Sequence, residues 1–125
     1  MNPSTPDCLC LITGANSGIG LVTARELARQ GMDIIMVCRN AAKGEQAQQE
    51  VLAASRTRKV DLLLGDLADF ASVRKLAAEV HRRYSRLDVL VNNAWLMLDQ
   101  RTTTPQGIEL TFATKHLGPF LLTNL

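Results

Sequence analysis

The chain has 125 residues, enough for one domain with a buried core. Hydrophobic residues make up 46% and charged residues 21%, which excludes an extended disordered segment. A net charge of +2, from 14 basic and 12 acidic side chains spread along the chain, points away from nucleic acid and from a membrane surface as partners.

Strand and helix patterns alternate. Cys8 to Thr13 reads as a first strand and runs into a glycine-rich turn. Gly18 to Gln30 reads as a helix with Ile19, Val22 and Leu27 on one side, ended by Gly31. Asp33 to Cys38 is a second strand, apolar on both faces as a covered parallel strand must be. Asn40 is placed to cap a helix running to about Ser55, with Ala47, Val51 and Leu52 inward. Lys59 to Leu64 is a third strand. Asp69 caps the next helix, where Phe70, Val73, Leu76, Ala77 and Val80 form a stripe at helical spacing. Leu87 to Asn92 contains a fourth strand. After a polar stretch from Asp99 to Gly107, Ile108 to Leu125 reads as one helix, apolar nearly all round, and so expects burial on more than one side.

This βαβαβαβα order predicts a doubly wound parallel sheet of strand order 3-2-1-4 with right-handed crossovers, a Rossmann-like α/β fold. Its fourth strand would be a bare apolar edge, and the last helix has neither cap nor breaker. The single domain, residues 1–125, is therefore expected to be incomplete at Leu125. The three cysteines, Cys8, Cys10 and Cys38, fall in predicted buried strands and read as reduced residues of a cytoplasmic protein. No metal-ligand spacing is present. Residues 1–7 are polar with two prolines, which predicts no secretory leader, and no apolar run approaches the roughly 18 residues of a membrane span.

The most informative stretch is Thr13-Gly14-Ala15-Asn16-Ser17-Gly18-Ile19-Gly20. A buried strand, a glycine turn and a helix start form a place to hold phosphate, because glycine permits positive φ and the helix presents free N–H groups and a positive dipole end. Gly-Lys-Ser/Thr is absent from the turn, which excludes a P-loop NTPase. At the end of the second strand stands Cys38, where a NAD-specific site would place an acid, and Arg39 follows. A guanidinium beside a neutral residue favours the 2′-phosphate of NADP over NAD.

The turn resembles the Thr-Gly-x-x-x-Gly-x-Gly pattern of the short-chain dehydrogenase/reductase family. Three further segments fall in the same order: Asp66-Leu67, Asn92-Asn93-Ala94, and Lys115-His116-Leu117-Gly118-Pro119-Phe120-Leu121-Leu122-Thr123. The last of these, with Cys38-Arg39-Asn40, looks most like the retinol-dehydrogenase-like branch, and the resemblance covers Leu9 to Leu125. It implies an NADP-dependent oxidoreductase moving hydride between nicotinamide and a small alcohol or carbonyl. Gly14, Asn16, Ser17, Gly18, Ile19 and Gly20 would then cradle the pyrophosphate, with Arg39 and Asn40 at the adenosine ribose. Asp66 and Leu67 would meet the adenine, and Asn93 and Ala94 would line the cofactor's ribose. A methyltransferase on a related fold is disfavoured, since it has no use for the Thr-Gly turn or the Asn-Asn-Ala segment.

The departures matter too. The family's catalytic Ser and Tyr-x-x-x-Lys normally lie beyond Leu125, and the only tyrosine, Tyr84, has Asp88 four positions on. No catalytic residue is therefore assigned. The family's catalytic Asn aligns with Lys115, and the Gly that usually follows Asn-Asn-Ala aligns with Trp95. The principal reading is a cofactor-binding N-terminal fragment of the oxidoreductase. The alternative is a non-catalytic nucleotide-binding or interaction protein of the same descent. Under either reading the last helix is expected to support self-association.

Overall fold

The computed structural model describes residues 8–94 and 100–125, so Trp95 lies outside the described residues. These residues form two compact units: 8–64 with Arg86–Asn93, and Gly65–Ser85 with 94 and 100–125.

In the first unit β1 (Leu9–Thr13), α1 (Gly18–Arg29), β2 (Asp33–Cys38), α2 (Ala41–Ala54), β3 (Val60–Leu64) and β4 (Val89–Val91) follow in chain order. The strands pair in parallel in the order β3-β2-β1-β4, the predicted doubly wound arrangement. Side-chain alternation sends Cys10, Ile12, Ile34 and Met36 to one face, where Ala24, Ala28, Ala47 and Val51 of α1 and α2 cover them. Leu11, Ile35 and Val37 on the opposite face are buried as well, as expected of a parallel sheet. Each such branched side chain contributes about 1.5–3 kcal/mol by leaving water.

Two local predictions need correction. The inward face of α1 is Gly20, Ala24 and Ala28, while Ile19 and Val22 are 78% and 52% exposed. Small residues let the helix axis approach the sheet, and that closeness outweighs the apolar area of the longer side chains. Leu27 does pack against the core, but only partly buried. The second correction is that Cys8 stands just before β1 and is half-buried rather than inside a buried strand.

Asn40 caps α2 as expected, its side chain accepting from Lys43 N at 3.0 Å. The short β4 is held in register from its own start. The Asp88 carboxylate accepts from Leu9 N at 2.7 Å and pairs with Arg86 Nε at 3.2 Å, which aligns Val89 with Cys10.

In the second unit α3 (Phe70–Arg83) is capped by Asp69, whose side chain accepts from Ala71 N at 3.0 Å. It buries Val73, Leu76 and Ala77 on the predicted stripe. The final segment is not one continuous helix from Ile108. Thr103 and Glu109 form a single antiparallel bridge, and the Thr104 hydroxyl accepts from Gln106 N and Ile108 N, both at 3.2 Å. These bonds hold the chain in a tight loop past Ile108. Glu109 then caps α4 (Leu110–Phe112) by accepting from Thr111 N and Phe112 N, which also holds its carboxyl below the usual range. A π-helical turn (Ala113–Leu117) and α5 (Gly118–Asn124) follow. Only Ala113, Gly118 and Leu122 are buried along this run, and Phe112, Phe120 and Leu125 are exposed, against the expected burial on several sides. The π turn interrupts the 3.6-residue period midway through the segment.

Candidate functional site

The sheet register brings the predicted segments of the first unit to one edge. Thr13 pairs with Val37 and Ile12 with Val91, so β1, β2 and β4 end at nearly one level. The turn after Thr13, the Cys38-Arg39-Asn40 segment and Asn92-Asn93 therefore all leave the sheet at its carboxyl edge. That edge, beside the first strand, is where open α/β sheets bind ligands.

Within the turn, Gly14 and Gly18 sit at φ 62° and 54°, a region costly for a residue with a Cβ. Ala15 N donates to Val37 O at 3.3 Å and ties the turn to β2. Ser17 enters α1 in extended conformation without capping the helix through its side chain, and no acidic residue stands in the first turn. Ser17, Gly18 and Ile19 are exposed, Asn16 half-buried. The donor set is thus backbone N–H at a positive helix end with no local anion, which fits a pyrophosphate.

Asn93 clamps this turn. Its Nδ2 donates to Thr13 O and Gly14 O at 3.2 Å each, and its backbone N donates to Thr13 Oγ1 at 3.0 Å. The Thr13 hydroxyl itself donates to Val91 O at 3.4 Å, so one Thr–Asn pair links β1, β4 and the glycine turn. Gly20 completes the packing: a Cβ there would collide with Gly14 O and Asn93 Nδ2. Thr13 is the hub that sequence reasoning missed. Its buried hydroxyl at a strand end was the available signal, because such a group must find a partner. We expect Asn93→Ala to lower unfolding stability by about 1–2 kcal/mol, since two carbonyls lose their donor. An unchanged urea midpoint for that variant would show the clamp to be energetically idle.

At the end of β2, Cys38 is buried, its Sγ donating to Asn40 O at 3.4 Å, and burial pushes its thiol up. Cys10 is pushed up to about 11 by burial, with Cys8 adding to it. Both thiols stay protonated near neutral pH and are poor nucleophiles. Arg39 and Asn40 are exposed, and the Asn40 side chain is committed to the α2 cap.

Asp66, Leu67 and Ala94 belong to the second unit. Asp66 follows β3 by two residues. Its N donates to Ser72 Oγ at 2.9 Å and its Oδ1 accepts from Ala68 N at 2.9 Å, which shapes the turn into α3. Leu67 is buried, and Ala94 half-buried. Gly118, at the start of α5, lies against this turn so closely that a Cβ would strike Leu67 O. Lys115 lies exposed on the π-helical turn. Among the described residues no cluster of His, Cys, Asp or Glu could hold a metal, and no helix is long and apolar enough to cross a membrane.

The sequence model of the short chain dehydrogenase family matches residues 9–125. The chain belongs to that family. As a short-chain dehydrogenase it is similar to retinol dehydrogenase 13 of Homo sapiens, 42% identical over 120 residues, covering 96% of this chain and 36% of that protein. Its fold is similar to the crystal structure of an uncharacterized protein from Mycobacterium Paratuberculosis, with TM-score 0.81 and 43% identity over 96% of this chain and 42% of that one. It is also similar to a metagenomic short-chain oxidoreductase solved in complex with NADP, with TM-score 0.83 and 27% identity over 97% of this chain and 55% of that one. The chain thus spans between about a third and about half the length of these proteins.

Proposed function

We propose that this short-chain dehydrogenase chain binds NADP as the cofactor-holding part of an oxidoreductase acting on a small alcohol or carbonyl. The observation that carries the NADP preference is Arg39, exposed at the carboxyl end of β2 beside the buried, protonated Cys38. An acid at this point would hold a ribose 2′-hydroxyl, whereas a guanidinium offers charge-assisted, forked bonds to a 2′-phosphate. The NADP bound by the similar metagenomic oxidoreductase supports the same direction.

In this reading the first-turn amides of α1 and the glycine backbone at Gly14 and Gly18 orient the pyrophosphate. Asn16, Ser17 and Ile19 stand around it, and Gly20 keeps the turn closed. Arg39 takes the 2′-phosphate, and Asn40 fixes the backbone that presents Arg39. Asn93 lines the cofactor's ribose. The cofactor, when bound, supplies or accepts the hydride. These residues bind and orient it, and proton transfer is not assigned to any of them, since the only tyrosine, Tyr84, has Asp88 rather than lysine four positions on.

Titration with NADPH and NADH, read by nicotinamide fluorescence, tests the proposal. NADPH should bind tighter by about tenfold or more, and Arg39→Ala should remove about 1.5–3 kcal/mol from NADPH binding while leaving NADH within about threefold. Equal loss of both cofactors would show that Arg39 does not read the 2′-phosphate.

A further inference from the structure

The connection between α3 and β4 carries chemistry that the cofactor site does not use. It reads Arg82-Arg83-Tyr84-Ser85-Arg86, so Ser85 has arginines two and three positions before it. We propose that Ser85 is a phosphorylation site for an arginine-directed serine/threonine protein kinase using ATP.

Three observations carry this. Ser85 is exposed at a bend directly beyond α3, where its hydroxyl is accessible. Arg82 and Arg83 are exposed on the last turn of that helix, the place where a peptide-binding kinase would need to read them. The turn is held largely by surface contacts, among them His81 Nε2 to Leu125 O at 2.9 Å and Tyr84 N donating to Val80 O at 2.9 Å. The buried anchors of α3 end at Ala77, and Val80, Glu79 and Tyr84 are only half-buried. Both arginines pair with Glu79, Arg82 Nη2 at 2.6 Å and Arg83 Nη1 at 3.9 Å, and the Arg83 guanidinium also lies 5.5 Å from the centre of the Tyr84 ring. Surface ion pairs of this kind add little net stability. The last helical turn can therefore fray at small cost and offer residues 82–86 as an extended segment. Two guanidiniums then present forked donors to the carboxylates with which such a kinase selects its substrates.

In the transfer a bond forms between Ser85 Oγ and the γ-phosphorus of ATP, and the bond from that phosphorus to the β–γ bridging oxygen breaks. ADP leaves, and the hydroxyl proton passes to the kinase's catalytic aspartate. The product places about two negative charges beyond the C-terminus of α3, close in sequence to His81, Arg82, Arg83 and Arg86.

The folded chain would be incubated with MgATP and the catalytic subunit of a cyclic-AMP-dependent protein kinase, and the modified residue located by fragment mass spectrometry. The expected result is one phosphate, on Ser85. Ser85→Ala should lose it and Ser85→Thr should keep it. Arg82→Gln with Arg83→Gln should slow incorporation by about tenfold or more, since both forked donors are gone. Circular dichroism on each variant separates these effects from misfolding. Incorporation at Thr57 or another hydroxyl instead, modification of the denatured but not the folded chain, or a rate indifferent to the two arginines would each overturn the proposal.

Discussion

Gly20→Ala is expected to cost on the order of 3 kcal/mol of unfolding free energy and at least about tenfold in NADPH affinity. The new methyl would strike Gly14 O and the Asn93 amide. Neither can step aside. Gly14 is held by its positive φ between β1 and the turn, and the Asn93 amide is already spent on Thr13 O and Gly14 O. Relief must come from moving α1 off the sheet, which would open the contact made by Ala24 and Ala28 and re-aim the first-turn amides. Gly18→Asn is the informative comparison. Nothing lies within 4 Å of a Cβ at Gly18, so only its φ of 54° is at issue, and asparagine tolerates that region. It should cost less than about 1 kcal/mol. Urea denaturation and NADPH titration of both variants make the check, and a Gly20→Ala protein of native stability would refute the described packing.

Gly118→Ala should be nearly as damaging, about 3 kcal/mol, but in the second unit. Its Cβ would meet Leu67 O and crowd Ala113 O, both backbone atoms. Pro119 follows at the first turn of α5 and restricts local adjustment there, so α5 must shift as a body. Leu67 and Ala68 are buried in the turn that Asp66 and Ser72 hold together. Hydrogen exchange offers a local readout: amides of Ala68 and of α5 should lose protection while those of β1 and β2 keep theirs. Uniform loss across all elements, or none, would contradict this assignment.

Much of the fold was legible in the amino-acid sequence. Apolar runs on both faces at Cys8 to Ile12 and at Ile34 to Cys38 demanded a covered parallel sheet, and the strand order followed from alternation and crossover handedness. The caps at Asn40 and Asp69 were readable because capping is a local bond between a side chain and an amide two or three residues on. The glycine turn was readable for the same reason. Its positive-φ positions and its uncapped helix start are properties of neighbouring residues.

Expectations failed where they depended on how closely two elements approach, and in the final segment, where local hydrogen bonds reset the start of the helix. Ile19 and Val22 formed an apolar stripe on paper, but α1 turns its glycine and alanines inward, because the nearer a helix lies to a sheet the smaller its facing side chains must be. The final segment had helical composition throughout, yet Thr104 and the Glu109 cap delay its start and a π turn interrupts its period. The role of Thr13 was hidden likewise, since its partners Val91 and Asn93 stand some 80 positions away.

For this protein the sequence by itself determined the alternation of strands and helices, their caps, the glycine turn at the first helix start and the cationic residue at the end of β2. All of these rest on interactions within a few residues. The tertiary structure alone decided which helix face is buried, which glycines are sterically obligatory and which side chains clamp the turn. Those depend on distances between segments remote in sequence, and a distance of that kind is set only when the packed chain closes.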